Sequence, residues 1–129
     1  MTASKEAVWS SLETQNLPIK RSALAHIDIN ESISETIPIY MASLVAIALP
    51  TLTSAAITFQ VQPEPGAAFF NLFTEAGVEV SIPASVGGTA HVIAELRGWY
   101  AFKIRSGVAA TPVNQGAARQ IPVQILSDA

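Results

Sequence analysis

Apolar and polar side chains alternate with a period of two in five stretches of the chain, namely residues 25–29, 55–62, 78–82, 99–105 and 119–126. Such alternation predicts β-strands that bury one face and leave the other to solvent. The side chains that we expect on the buried faces are Ala25, Ile27, Ile29, Ala55, Ile57, Phe59, Val61, Val78, Val80, Ile82, Tyr100, Phe102, Ile104, Ile121, Val123 and Ile125.

Two further stretches, residues 37–49 and 67–73, are apolar on both faces. Strands of this kind lie centrally in a sheet or have their second face covered by another chain. Residues 41–49 also fit helical spacing, but the many β-formers in this stretch favour a strand. Pro50 ends the element in either case.

Turn signals separate these elements, and the sequence predicts a short hairpin around residues 75–77 with Gly77 at positive φ. Roughly six to eight closely spaced strands without a long helix predict an all-β fold, an antiparallel β-sandwich or jelly roll. We assign this domain to residues 23–129.

Residues 1–22 differ from the rest of the chain, because they are polar and hold five of the 17 charges. They predict an N-terminal arm that is extended or, over residues 5–12, partly helical, since so short a helix is marginal without packing. We expect this arm to become ordered against a neighbouring chain.

Only 13% of the 129 residues are charged, whereas soluble domains average roughly 25%. Hydrophobic residues make up 50% of the chain, which is typical of a folded protein and not of a disordered one. The net charge of −3 gives no electrostatic support to nucleic-acid binding. So few charges predict that neighbouring molecules cover part of the surface, because a free monomer normally exposes more.

The absence of cysteine excludes disulfides, thiolate metal sites and a cysteine nucleophile. His26 and His91 lie far apart, and neither has a second ligand at zinc-binding spacing. His26 and Asp28 share a strand face but lack a placed nucleophile. We therefore expect no metal, no cofactor and no catalytic residues.

No charged residue falls between positions 36 and 63, but Pro38 and Pro50 interrupt this stretch. It contains no apolar run long enough to cross a bilayer, so we expect no membrane span. The first ten residues lack the apolar core of a signal peptide.

The strongest candidates for contact with a partner are Arg97, Trp99, Lys103 and Arg105. If the alternating strand begins here, Trp99 shares its outer face with Lys103 and Arg105. A tryptophan rimmed by cations can stack on a sugar, a base or a partner's side chain. The alternative is that Trp99 begins the strand and folds under the edge of the sheet.

Gln115 and Arg119, beside Asn114, form a second polar group. They predict contact with a glycan or a neighbouring subunit. The alternative is a structural role, in which the Arg119 guanidinium satisfies the carbonyl groups of a long turn.

Several motifs resemble those of a family of small structural proteins of tailed bacteriophages. They are LVAIALP (44–50), AAITFQV (55–61), FTEAGVEV (73–80), GWYAFKIRSG (98–107) and AATPVNQGAAR (109–119). The Lys-x-Arg-Ser-Gly and Pro-Val-x-Gln…Arg pieces at the end are the most specific. Family members often have an acidic residue before the final arginine, where this chain has Ala118, and residues 1–43 are not covered.

The resemblance implies a virion protein with a β-sandwich fold that acts as a head decoration or other structural component. We expect a non-enzymatic capsid decoration or cement protein on the surface of the head. Its implied partners are the major capsid protein and further copies of itself, and sites between capsomers suggest a homotrimer. The absence of cysteine agrees with synthesis and assembly in the reducing host cytoplasm.

Two other functions stay open. One is a glycan-binding module of a phage fibre or tail, with Arg97, Trp99 and Arg105 as its platform. The other is an enzyme, although no pairing of a nucleophile with a base is apparent in the sequence.

Overall fold

The computed structural model describes residues 19–53, 55–83 and 87–127. These residues form ten β-strands and a short 3-10 helix, Ala94–Leu96. The strands are β1 (Ile19–Ile27), β2 (Ile37–Pro38), β3 (Leu44–Leu49), β4 (Ile57–Gln62), β5 (Phe70–Asn71), β6 (Ser81–Ile82), β7 (Thr89–Val92), β8 (Ala101–Val108), β9 (Thr111–Pro112) and β10 (Arg119–Ser127).

The strands form two antiparallel sheets that pack face to face. Sheet A has four strands in the order β1-β10-β3-β7. Sheet B has the order β2-β8-β4-β5, with β6 beside β4 and β9 beside β8. The predicted all-β antiparallel sandwich is therefore confirmed.

The hydrophobic core lies between the sheets, where alternate side chains of both meet. Phe59 of β4 and Phe102 of β8 pack with their ring centroids 6.2 Å apart. Sheet A contributes the facing layer, which consists of Ala25, Ile27, Val45, Ile47, Leu49, Ile121, Val123 and Ile125. On β4, β8 and β10 the apolar side chains predicted to face the core are buried. Tyr100, predicted with them, precedes β8 and is only half-buried.

Residues 37–49, which the sequence predicts as one strand, form two strands that belong to different sheets. β2 pairs with β8 in sheet B, whereas β3 pairs with β10 and β7 in sheet A. Between them, Tyr40 and Met41 have φ values of 51° and 59°. The prediction was wrong because the chain reverses in the left-handed region, which residues other than glycine rarely adopt.

The hairpin predicted around residues 75–77 is confirmed. Gly77 has a φ of 81°, and its N–H donates to the carbonyl of Thr74 at 2.9 Å. The strand predicted after it is shorter than expected, because only β6 pairs with β4. Val78, which the alternation places inside, is exposed.

Two other predicted strands also end early. β1 stops at Ile27, so that Ile29, which we expected to be buried, is exposed. The stretch 67–73 contains only the short strand β5, and Phe70 and Phe73 are exposed. Residues 19–22, which the sequence places in the arm, pair with β10. The rest of the predicted arm, residues 1–18, lies outside the described residues.

Candidate interaction surface

The outer face of sheet B carries polar side chains that are nevertheless buried. Thr58 and Gln62 on β4 and Arg105 on β8 point away from the core, yet all three are shielded from solvent. The chain that follows β4 lies over them, and Gln62 Nε2 donates to the carbonyl of Ala67 at 3.0 Å. Buried polar groups require hydrogen-bond partners. Residues 63–80, which we term the covering segment and which include β5 at the edge of sheet B, supply partners to Gln62 and Arg105, whereas Thr58 Oγ1 donates to the carbonyl of Gly107 at 2.6 Å.

Arg105, only 4% exposed, is the centre of this cover. Its Nε donates to Thr58 Oγ1 at 2.9 Å and its Nη1 to Asn71 Oδ1 at 2.8 Å. Its Nη2 donates to Glu79 Oε2 at 2.9 Å. The same carboxylate oxygen accepts the backbone N–H of Ala109 at 3.1 Å. The guanidinium therefore holds the covering segment onto sheet B.

Lys103 takes part in the same cover. Its Nζ lies 4.4 Å from the centroid of the Phe69 ring, within the range of a cation–π interaction. Both cations that were expected to flank an exposed tryptophan thus contact the chain's own covering segment.

Gln115 is a buried junction between three parts of the chain, with 1% of its surface exposed. Its Oε1 accepts the backbone N–H of Thr53 at 2.8 Å and Nε of Arg119 at 3.0 Å. Its Nε2 donates to Ser106 Oγ at 2.6 Å. Ala118 gives Arg119 no acidic neighbour, and the guanidinium bonds instead to Gln115 and, at 3.3 Å, to Thr53 Oγ1.

Trp99 precedes β8 and is partly buried against the core. Its Nε1 donates to the carbonyl of Glu95 at 2.9 Å. Nearby, Arg97 Nε donates to the carbonyl of Ala94 at 3.0 Å. The expected outer-face platform of Trp99, Lys103 and Arg105 is not formed, because the tryptophan packs on the core and both cations lie under the covering segment.

Of the six candidate residues, the structure brings Gln115 and Arg119 together. It does not gather Arg97, Trp99, Lys103 and Arg105 into one surface. Arg105 and Gln115 are buried within the chain, so a contact between their side chains and a partner is left without geometric support. A partner contact at the other four residues stays a prediction.

The outer face of sheet A contrasts with that of sheet B, because no described segment covers it. The outward side chains of β3 and β7 are all apolar, whereas an antiparallel sheet that faces water normally carries polar residues there. With the neighbouring outward positions of β1 and β10 they form what we term the apolar face: Leu24, Leu44, Ala46, Ala48, Ala90, Val92, Pro122 and Leu126.

The strand register joins the apolar side chains through β3, whereas on β10 the polar Gln124 lies opposite Ala46 and separates Pro122 from Leu126. Leu44 lies opposite Leu126, Ala46 opposite Val92, and Ala48 opposite Ala90. Leu24 lies opposite Pro122 on the next pair of strands. With four strands ~4.8 Å apart and ~3.3 Å per residue, the face spans roughly 14 Å across the strands and 13 Å along them. The largest exposed apolar patch on a protein is often a functional surface.

The sequence predicts part of this face but not its extent. Residues 37–49 are apolar on both sides, and β3 lies within this stretch. β7 was not predicted as a strand, because Thr89, Ala90, His91 and Val92 give a short and weak pattern. The pairing of β7 with β3 is what places Val92 beside Ala46.

Glu35 closes one end of sheet A at β1. Its Oε1 accepts the backbone N–H of His26 at 2.7 Å, and its Oε2 lies 2.8 Å from His26 Nδ1. Partial burial raises the pKa of the Glu35 carboxyl, but the hydrogen bonds from His26 outweigh it. The pKa therefore lies below its ordinary value of 4.5.

An open cleft of about 580 Å³ lies at the opposite edge of the sandwich, lined in part by Glu79, His91 and Glu95. Within the described residues, no three histidine, aspartate or glutamate side chains are grouped so that they could hold a metal ion. In the same part of the chain, no helix is long and apolar enough to cross a membrane.

The fold and its surfaces define the class of protein, which is a two-sheet antiparallel β-sandwich. The covering segment lies on the outer face of sheet B, whereas the outer face of sheet A is exposed. No protein-family model matches the chain. No curated protein matches it either.

Among solved structures, the fold is similar to that of the SPBc2 prophage-derived protein YomS. The TM-score is 0.57 at 13% sequence identity, over 86% of this chain and 96% of that one. At this identity the likeness shows a shared fold. The Yersinia pseudotuberculosis-derived mitogen gives a TM-score of 0.39 at 8% identity, over 86% of this chain and 87% of that one, too distant to define a common fold.

Proposed function

We propose that the protein is a non-enzymatic structural component of a bacteriophage virion, a capsid decoration or cement protein. It binds the exterior of the head through the apolar face of sheet A and bridges neighbouring capsid subunits, which stabilises the shell. The major capsid protein is its main partner, and no catalysis, cofactor or nucleic acid is involved.

The apolar face is the observation that carries this proposal. Burial of apolar area is the main favourable term in stable protein association, and the centre of an interface is typically depleted of charge. Val92 is 65% exposed at the rim of a sheet whose outward side chains bear almost no charge. The low charge content of the whole chain has the same explanation.

Two further observations support a phage origin. The sequence motifs resemble those of small virion proteins, and the fold is shared with a prophage-derived protein. The alternative of a glycan-binding module loses its main support, because Trp99 packs against the core.

The test compares two exposed valines, of which only Val92 belongs to the apolar face. Val92 is 65% exposed, and Val78, which follows the hairpin turn and lines the same open cleft, is 62% exposed. Purified Val92→Lys, Val78→Lys and unmodified protein are mixed with phage heads that lack the protein, and bound copies are counted after sedimentation.

We expect Val92→Lys to lower head binding at least tenfold and Val78→Lys to bind as the unmodified protein does. Circular dichroism confirms that both variants are folded. Equal binding by both variants would remove the apolar face from the mechanism. Failure of the unmodified protein to bind heads would overturn the proposed function itself.

A further inference from the structure

β1 is an edge strand of sheet A, and half of its backbone groups face away from β10. The N–H of His26 donates to Glu35 and not to β10, which shows the direction in which this residue points. In an antiparallel pair, alternate residues direct both N–H and C=O to the same side. The backbone groups of Lys20, Ser22 and Leu24 therefore also point away from β10.

Glu35 occupies this edge at His26 and no further. Natural proteins commonly protect edge strands in such ways, because free N–H and C=O groups pair readily with another chain. Among the described residues, no group bonds to the outward backbone of Lys20, Ser22 or Leu24. The edge of β1 from Lys20 to Leu24 is therefore available for pairing with another strand, and it ends where Glu35 bonds to His26.

The same segment is exposed on both of its faces. Residues 19–24 are all exposed, although the strand continues into the core at Ala25. Below them, an apolar crevice of about 160 Å³ opens between the two sheets, lined in part by Ala23, Ile37, Val123 and Ile125. An added strand would both complete the backbone pairing and place a side chain at this crevice, which is how β-augmentation sites gain affinity and specificity.

We propose that the occupant is a second copy of this chain, whose β1 pairs antiparallel with this edge about a two-fold axis at Ser22. The four strands of sheet A in each copy then form one continuous sheet of eight. This contact uses the backbone edge of β1, borders the apolar face at Leu24, and places the apolar faces of two copies side by side.

The sequence of β1 fits this register. Ser22 meets Ser22, and each Lys20 lies opposite the partner's Leu24, so that the two lysines do not face each other. Ile19, which is exposed in the single chain, comes opposite the partner's Ala25 on the side of the crevice.

The pairing ends at His26, because the N–H of this residue is already bonded to Glu35. The three outward residues before it, Lys20, Ser22 and Leu24, give about six backbone hydrogen bonds.

Cysteine cross-linking of the purified full chain tests the register, because the chain has no cysteine of its own. Hydrogen-bonded antiparallel partners have Cα atoms ~5.5 Å apart, within the ~4.4–6.8 Å range of disulfides. We expect oxidised Ser22→Cys to form a covalent dimer. Lys20→Cys and Leu24→Cys should each form no disulfide-linked dimer alone and should cross-link only when mixed.

Cross-linking of Lys20→Cys with itself at the rate of Ser22→Cys would contradict the register. Absence of a Ser22→Cys dimer and of the mixed dimer would overturn the pairing. Because no phage heads are present, this result is separate from that of the head-binding test.

A second measurement uses sedimentation of the non-oxidised protein. Ser22→Pro removes an N–H that β10 does not use, and proline is tolerated at such an edge position. We expect the unmodified protein and Ser22→Ala to sediment as dimers, and Ser22→Pro to raise the dimer dissociation constant at least tenfold. A monomer at high concentration, or the trimer expected from the sequence, would overturn the two-fold pairing.

Discussion

Arg105 and Glu79 form an ion pair on the outer face of sheet B, with Nη2 and Oε2 2.9 Å apart. Their side chains are only 5% and 16% exposed. Arg105 belongs to β8, whereas Glu79 belongs to the covering segment, without which the polar face of the sheet would be exposed. The pair therefore joins the two-sheet framework to its cover.

Removing Glu79 should destabilise the protein strongly, because it leaves a buried guanidinium without its counter-charge. We expect Glu79→Ala to lower the free energy of unfolding by about 2–4 kcal/mol, measured by urea denaturation. Glu75→Ala, an exposed acid on the same hairpin, is the matched control and should stay within about 0.5 kcal/mol. Equal effects of the two substitutions would show that the pair does not hold the cover.

Gln115 should matter for stability more than its neighbour Asn114. In Gln115→Leu, the backbone N–H of Thr53 and the Nε of Arg119 both lose their acceptor. Unsatisfied buried donors cost about 1–3 kcal/mol each, so we expect a loss of roughly 2–4 kcal/mol in thermal or urea unfolding. Asn114→Ala, at an exposed position, should have little effect. An unchanged free energy of unfolding in Gln115→Leu would contradict the role of Gln115 as a buried junction.

Glu35 should make stability depend on pH at the acidic end. Its pKa in the folded protein is lowered below 4.5, so its contribution is present above the unfolded value and is lost as the pH falls through the folded value. The unfolding midpoint of Glu35→Gln should therefore fall less between neutral and acidic pH than that of the unmodified protein. Titration of the Glu35 carboxyl by NMR is the direct check, and a pKa above 4.5 would contradict this assignment.

Two glycines with similar backbone angles should respond differently to alanine. Gly77 has a φ of 81° and open space where a Cβ would stand, whereas at Gly107, with φ 90°, a Cβ would lie 2.5 Å from the carbonyl oxygen of Thr111. Gly77→Ala should cost about 1–2 kcal/mol from the backbone alone. Gly107→Ala should cost at least roughly 1 kcal/mol more, because the β8–β9 turn must also move. Equal thermal unfolding midpoints for Gly77→Ala and Gly107→Ala would contradict this expectation.

The alternation of side chains was sufficient to predict the sandwich and most of its core. It placed Phe59, Phe102 and Val123 inside correctly, because the long central strands β4, β8 and β10 are each buried on the side that the period of two assigns. It failed where pairing is local and brief, as at Val78, and where the chain reverses through Tyr40 at positive φ without a glycine to signal it.

The candidate surface was harder to predict, for a physical reason. A lysine or arginine in an alternating strand is predicted to be exposed. The sequence does not show that residues 63–80 supply Asn71 and Glu79 as hydrogen-bond partners that bury Arg105. Conversely, Ala46 and Ala48 of β3 form part of the apolar face only because β7 pairs with β3 beside them. Both effects depend on contacts between residues distant in sequence.

The most direct test of the central claim is an electron cryo-microscopy comparison of heads assembled with and without the protein. We predict extra density on the head exterior that fits the sandwich, with Leu44, Ala46 and Val92 turned towards the capsid subunits. Extra density in which these residues face the solvent, or heads that are identical with and without the protein, would contradict the claim that the apolar face binds the capsid.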